Sequence, residues 1–487
     1  MQTSANKYGV QMKLPLAMEW TDAGLVWCGA DVFQSAKQPS EEWLSDCEEE
    51  RTLTANLMDR VCNLSNLSRA CRHVISNGGR GGVDGMEVGE LGDWFSTNWH
   101  DLQKSLLEGS YRPQAVLGVE IPKSSGGKRL LGIPTVVDRV VQQALHQVLS
   151  ERYERVFSRS SYGFRPKRSA HQALAQAAEY VSSGKRWIVD LDIAKFFDEV
   201  NHDRLMWLLS RRIGDKGVLK LIHRFLRSGL MLGGIESQRV KGTPQGGPLS
   251  PLLGNIVLDE LDKELERRGH DFVRYADDVI ILVGSEKAAR RVLESVSYYL
   301  AKRLKLRVSE TKSRVCRPSE LNFLGHNIHS GGKLGLSTES ERRVKAEIRR
   351  ITRRNRGVSL EQLIRELNRK LIGWVHYFRH ARMKGKLRSL YSWIKRKLRC
   401  YRLKQGKRPT GMMRLLHRLG VPKARAWTTA ASRKGWWRKA NTPAAKEGMN
   451  DQWFIAQGLQ DFNALYLRLH PKETAVYEST HGGVRGR

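Results

Sequence analysis

Paired cysteines are missing from this 487-residue sequence. Its six cysteines stand at positions 28, 47, 62, 71, 316 and 400, with no C-x-x-C and no zinc-type spacing. Free thiols in a reducing cytosol are the simplest reading. Long apolar runs are missing too. None approaches the roughly 20 residues needed to cross a bilayer, and Met1 to Leu16 lacks the apolar core of a secretory signal. The expectation is a soluble protein of the cytoplasm with no membrane partner. Acidic residues are scarce in one stretch: residues 341–440 hold 4 Asp/Glu against 32 Lys/Arg, a net of +28, within a chain of net charge +34. Residues 1–50 run the other way, with 9 acidic residues against 3 lysines. Charge clustered in this way points to a polyanionic partner, nucleic acid first, whereas a merely solvated surface would spread it.

The chain is long enough for two to four domains. After an acidic extension over residues 1–50, a helical pattern begins near Leu53. Residues 77–85 form a glycine-dense loop. A short strand, Val116 to Ile121, leads into a basic turn that carries Lys123, Lys128 and Arg129. Val136 to Leu149, Lys216 to Leu230, Pro248 to Arg268 and Lys287 to Leu304 read as helices, and residues 188–192 as a strand. Val273 and the run Val279–Val283 read as hairpin arms, with short strands near Arg307 and Phe323. This order predicts an α+β class, with helices packed on one face of an antiparallel sheet. Past Gly335 the pattern is helical and basic. Ser359-Leu360-Glu361-Gln362 reads as a capping box, and three helices suggest a bundle. After Gly406 the chain reads as irregular, with Trp427, Trp436, Trp437 and Trp453 among Arg and Lys.

Tyr275-Ala276-Asp277-Asp278 places two carboxylates where one strand turns into the next. By itself this is an ordinary polar turn. Asp192, at the end of another apolar strand, changes the reading. Three carboxylates on neighbouring strand ends can hold two divalent metals roughly 3.5–4 Å apart for in-line phosphoryl transfer. Asp190 shares the strand face and competes with Asp192, which is nearer the strand end; Asp198 reads better as a helix cap. The segment 242–248 is glycine-rich and precedes a helix N-terminus, a setting that favours anions and puts Gln245 against a substrate; a plain tight turn is the other reading. Lys123, Lys128 and Arg129 either neutralise a triphosphate or form a solvated basic turn.

Eight blocks then occur in order: VDGM (Val83–Met86), IPK…GGKRLLGIPTVVDRVVQQAL ending at Leu145, SYGFRP (Ser161–Pro166), DLDIAKFFDEVNH (Asp190–His202), GTPQGGPLSPLLGNIVLDELD (Gly242–Asp262), RYADD (Arg274–Asp278), a stretch ending at Lys312, and FLGH (Phe323–His326). Together they resemble the reverse transcriptases encoded by bacterial group II introns, the maturase family. RRITRRNRG (Arg349–Gly357) and IGWVHYFR (Ile372–Arg379) resemble that family's thumb, and KGWWRKANTP (Lys434–Pro443), more loosely, its DNA-binding tail.

The resemblance implies a right-hand polymerase: fingers and palm over 51–335, a basic all-α thumb over 336–410, and a small DNA-binding tail over 411–487. It implies Asp192, Asp277 and Asp278 as Mg2+ ligands, with the Ile193 carbonyl joining them. Phe197 would exclude a ribose 2′-hydroxyl. Gln245, Lys123 and Arg129 would contact the dNTP. Lys312 would give a proton to pyrophosphate, or is a plain surface lysine. Arg165, Arg353, Arg354 and Arg356 would face nucleic acid. The partners implied are the parent intron RNA, an RNA template with a DNA primer, target DNA and dNTPs. No endonuclease domain is expected, because cysteine pairs are absent. Two other readings stay open: a splicing cofactor with a relic polymerase, and a reverse transcriptase of retron, diversity-generating or defence systems.

Overall fold

The computed structural model describes residues 19–21, 24–26, 56–122, 128–243 and 246–470. Most of the acidic extension therefore lies outside the described residues. Within it, β1 (Glu19–Thr21) and β2 (Gly24–Val26) pair antiparallel. Among the described residues no helix is long and apolar enough to cross a membrane. Two compact units divide the chain. The first comprises Met1–Ala173, Val189–Ile281 and Glu286–Val315; the second comprises Leu174–Ile188, Leu282–Ser285 and Cys316–Arg487.

The first unit holds a sheet of order β4-β3-β6-β7. Its strands are β3 (Val116–Pro122), β4 (Lys128–Ile133), β6 (Leu230–Leu232) and β7 (Ile235–Ser237). β3 and β4 are antiparallel, with Pro122 opposite Lys128, and β6 runs parallel to β3. The helix Val136–Tyr153 follows β4 directly. Thr135 starts it, its hydroxyl accepting a hydrogen bond from Asp138 N. Val136, Val140, Val141, Ala144, Leu145 and Leu149 are each fully buried.

A second sheet carries the candidate site, with order β10-β5-β9-β8. Its strands are β5 (Trp187–Asp192), β8 (Asp271–Tyr275), β9 (Asp278–Val283) and β10 (Arg314–Cys316). Val279, Ile280, Ile281 and Leu282 on β9 are all buried. An unbroken apolar run is what a strand covered on both faces requires, since successive side chains point to opposite faces. The helix Ser250–Arg267 packs its Leu252, Leu253, Ile256, Leu261 and Leu265 inward, with Pro251 in its first turn, where a missing N–H costs nothing. The helix expected over Lys287 to Leu304 is α-helical over Glu286–Tyr299 and finishes as a π-helix, Leu300–Leu304.

In the second unit β11 (His326–His329) and β12 (Lys333–Leu336) form a hairpin. Three longer helices follow: Thr338–Ile351, Leu360–Tyr377 and Lys384–Gln405. Ser337 and Ser359 cap the first two, with Ser359 accepting from Gln362 N. Val344, Ile348, Leu363, Leu367, Leu371, Val375, Leu387, Ile394 and Leu398 turn into one core.

The irregular segment expected after Gly406 is instead helical. Pro409–Arg418, Lys423–Ala431, Trp436–Lys439, Pro443–Gly448, Asp451–Ala456 and Phe462–Arg468 follow one another. The longest has 10 residues and the shortest 4, too few turns for an apolar period to show. Their starts are nevertheless written in the chain: Thr442, Asn450 and Asp461 each cap the following helix. Met412, Leu416, Val421, Phe454, Phe462 and Tyr466 extend the core of the three longer helices.

Candidate active site

β5 ends at Asp192, and the chain then rises to Ile193, which bridges to Val308. Asp192 is pinned through its backbone: its N donates to Ser313 Oγ at 2.9 Å, and its carbonyl accepts from Ser309 N at 2.8 Å. That leaves the carboxylate to project from the strand end. Both of its oxygens accept from Lys312 Nζ, at 3.1 and 3.0 Å. Asp190, the competitor on the same face, accepts from Arg314 Nε at 3.4 Å, and burial pushes its carboxyl above the usual range. Each aspartate is thus paired with one cation, and Asp192 is the one that stands at the strand end.

β9 lies beside β5 in the sheet and begins at Asp278. The carboxyl of Asp278 is pushed up to about 6, first by crowding against protein atoms, then by the like charges of Asp277, Asp192 and Asp190; Lys312 opposes the shift. Asp278 is exposed by surface area, so solvent screens part of this effect, but its direction follows from several carboxylates gathered at one end of a sheet. Among the described residues no three His, Cys, Asp or Glu side chains are already drawn together at metal-binding distance. The donor set nevertheless fits a hard divalent cation: oxygen ligands only, mutually repelling, and neutralised for now by one lysine.

The turn between β8 and β9 is held by a buried network that the sequence reading did not find. Arg274, with no exposed side-chain surface, donates through Nε to Asp262 Oδ1 at 2.8 Å and through Nη2 to Asp262 Oδ2 at 2.5 Å. Its Nη1 donates to Asn255 Oδ1 at 2.8 Å and to the Ala276 carbonyl at 3.0 Å. Asn255 Nδ2 in turn donates to the Gly163 carbonyl at 2.9 Å. Ala276 adopts φ +58°, a left-handed conformation that costs an alanine energy unless its surroundings enforce it. Gly163 lies flat against it: a Cβ there would sit 2.3 Å from Ala276 N, so only glycine fits. A signal was available, because Asn255 and Asp262 stand two turns apart on the helix's buried side, among Leu258, Leu261 and Leu265.

Phe197 stands half-buried in the short helix Phe196–Glu199, its ring edge-on to Phe196 at 5.0 Å. A Cβ on Gly254 would come within 3.1 Å of the Phe197 ring, so the helix Ser250–Arg267 supports the ring from behind. The Phe197 carbonyl accepts from Thr243 N at 2.6 Å, and the Val200 carbonyl from Gly242 N at 2.8 Å. His202 Nε2 contacts the Gly242 carbonyl at 2.7 Å. These bonds fasten the start of the 242–248 segment to the turn that carries Phe197. Phe197 also lines a cavity of about 730 Å3 together with Leu131, Arg139, Gly246 and Pro251. Lys123, Gln245 and the side chain of Arg129 lie outside the described residues. Lys128 is exposed and pairs with Glu120.

Arg165 is a correction. Its side chain is 3% exposed and spends its donors inside the protein: on Glu154 at 2.8 and 3.0 Å, and on the Ser161 and Ser158 carbonyls. A guanidinium so enclosed cannot reach a phosphate, and its role is to hold the SYGFRP loop. Arg356 is likewise committed, to Glu366 at 2.9 and 3.0 Å and to the Ile351 carbonyl at 2.8 Å. Arg353 and Arg354 are exposed.

The family profile described as "Reverse transcriptase (RNA-dependent DNA polymerase)" matches residues 121–328, and that for "Group II intron, maturase-specific domain" matches residues 341–420. Protein YkfC of Escherichia coli K12 is 32% identical over 340 residues, covering 61% of this chain and 88% of YkfC. The group II intron-encoded protein LtrA of Lactococcus lactis is 33% identical over 291 residues, covering 46% of this chain and 48% of LtrA. A putative COX1/OXI3 intron 2 protein of Saccharomyces cerevisiae is 29% identical over 305 residues, covering 50% of this chain and 35% of that protein. The matched segments thus span about half of LtrA and about a third of the yeast protein.

Proposed function

Because this chain belongs to the group II intron reverse transcriptases, we propose that it is an RNA-directed DNA polymerase and a maturase. In this reading it binds its parent intron RNA to promote splicing and copies that RNA into DNA during mobility, in the bacterial cytoplasm. The supporting observation is the pairing of β5 with β9, which sets Asp192 on the strand next to the one that opens with Asp278. Asp192, Asp277, Asp278 and the Ile193 carbonyl would hold Mg2+. A divalent cation bound there supplies Lewis acidity, lowering the pKa of the primer hydroxyl and offsetting charge on the leaving pyrophosphate.

The chain's own groups have distinct tasks. Lys312 pairs with the Asp192 carboxylate at the strand end, where a bound cation would take its place. Once released, its ammonium is beside the site and able to protonate a departing phosphate. Phe197, braced by Gly254, fills the space where a 2′-hydroxyl would sit. Gln245, Lys123 and Arg129 would face the dNTP. Residues 51–335 would serve as fingers and palm, 336–410 as thumb, and 411–487 as a tail on target DNA. Arg353 and Arg354, exposed at the end of the helix Thr338–Ile351, suit the backbone of a template.

Asp277→Asn tests the reading directly. It should abolish dNTP incorporation on a DNA-primed RNA template while leaving splicing of the intron near normal. Primer extension that persisted in this variant would remove the site assignment.

A further inference from the structure

The three longer helices of the second unit line a half-open cavity of about 550 Å3, within the ~300–1,000 Å3 range in which proteins take small ligands. Its floor is apolar: Leu336, Val344 and Leu390 are buried there. Its sides include two half-buried indoles, Trp374 and Trp393. Its rim is cationic. Lys345, Lys386 and Arg349 line it with a single carboxylate, Glu341, which accepts from Lys345 Nζ at 2.6 Å and pairs with Lys386 Nζ at 3.0 Å. Arg349 lies 5.6 Å from the Trp393 ring centroid. None of these residues was singled out as a site by the sequence, apart from Trp374 and Arg349 as members of longer blocks.

We infer that this cavity takes one unpaired nucleobase of a single-stranded RNA segment, with the flanking phosphates on the Lys345, Lys386 and Arg349 rim. The inference rests on the proposed maturase reading, which already requires an RNA partner, and names where a single-stranded part of it is gripped. Three features select this occupant. An apolar floor rejects a phosphate or a free anion, which would lose its hydration there. Half-buried indoles favour a flat aromatic face, and RNA-binding proteins read splayed-out bases by stacking on such side chains. Three cations to one carboxylate, in a segment of net charge +28 over residues 341–440, favour a ligand whose apolar part is tied to negative charge. A nucleotide combines all three. Glu341 adds an acceptor at the rim for an exocyclic amine.

The test uses the full-length protein and two fluorescent probes: a short single-stranded RNA of mixed sequence, and the same strand with abasic riboses. Wild type should bind the base-bearing strand about 10-fold or more tightly than the abasic strand at equal salt, the stacking contribution of one base. Trp393→Ala should remove most of that preference. Ser389→Trp provides a second route, because Ser389 is exposed on the cavity wall and an indole there fills the space without removing a core contact. Both variants should keep the salt dependence of binding, which reports the phosphate contacts. Equal binding of the two strands by wild type, or a preference that survives Ser389→Trp, would overturn the inference. Failure of wild type to extend a primer is a separate result: it would remove the polymerase reading and leave this one standing.

Discussion

Arg274 and Asp262 form an ion pair with no solvent-exposed side-chain surface on either partner. The pair joins the strand that leads into Asp277 and Asp278 to the helix packed on it. Every polar group of the network has a partner: the guanidinium also reaches Asn255 and the Ala276 carbonyl. Such a pair contributes position more than net stability, because removing two charges from water offsets their attraction.

Breaking the pair from one side should therefore be severe. Asp262→Asn leaves a buried guanidinium without its counter-charge and should cost about 3–5 kcal/mol of unfolding free energy, read from urea denaturation. Arg274→Lys keeps the charge but cannot reproduce the fork on Asp262 and the bond to Ala276 together. It should lower kcat more than it raises KM for the primed template.

Gly163→Ala addresses the same turn from outside. The added methyl meets Ala276 N at 2.3 Å, so the turn must shift. Overpacking of this kind costs about 1–3 kcal/mol. The more telling readout is single-turnover dNTP incorporation, which should fall at least about 10-fold as the aspartates lose register.

Asp278→Asn should stabilise the cation-free protein at neutral pH. The folded carboxyl is pushed up to about 6 from the usual 3.8 of an aspartate, so folding favours its protonated form. That contribution is fully present below about pH 4 and is lost as pH rises through 6. The asparagine avoids the loss. In EDTA at pH 8 the variant should melt higher than wild type, by no more than about 2 °C after solvent screening, and the gap should close toward pH 4. Mg2+ should raise the melting temperature of wild type more than that of the variant.

Phe197→Ala should relax sugar selection. With the ring gone, the wall it shares with Gly254 opens. Ribonucleotide incorporation relative to deoxyribonucleotide should rise about 10-fold or more, measured by extension with each substrate separately.

The parts of this structure that were legible in the sequence are those in which local pattern and tertiary burial agree. The run Val279–Val283 reads as a strand because both of its faces are covered. Ser359 reads as a cap because its hydroxyl has one short-range task, the Gln362 amide. Asp192 and Asp278 were legible as strand ends, because an apolar run stops at the first and starts after the second. What escaped depends on distant partners. Nothing near Arg274 says that it will be swallowed by a helix, and nothing near Arg165 says that Glu154 and two carbonyls will absorb its charge. The helices after Gly406 escaped for a different reason: their apolar residues are spread over elements too short to display a period, and only the assembled core unites them.

The strand order also sets when the site comes into being. β5 and β9 are neighbours, yet everything from Ile193 to Asp277 lies between them in the chain. Pairing across so long a separation is the kind of non-local contact that slows folding. β10 is the last strand to join the sheet in chain order, and the segment around it brings Lys312 and Arg314, the cations that face Asp192 and Asp190. Until it docks, the half-built sheet carries clustered negative charge with nothing to balance it. A partly folded chain therefore gains little from stopping there, and the repulsion between these carboxylates favours docking of the final strand with its two cations.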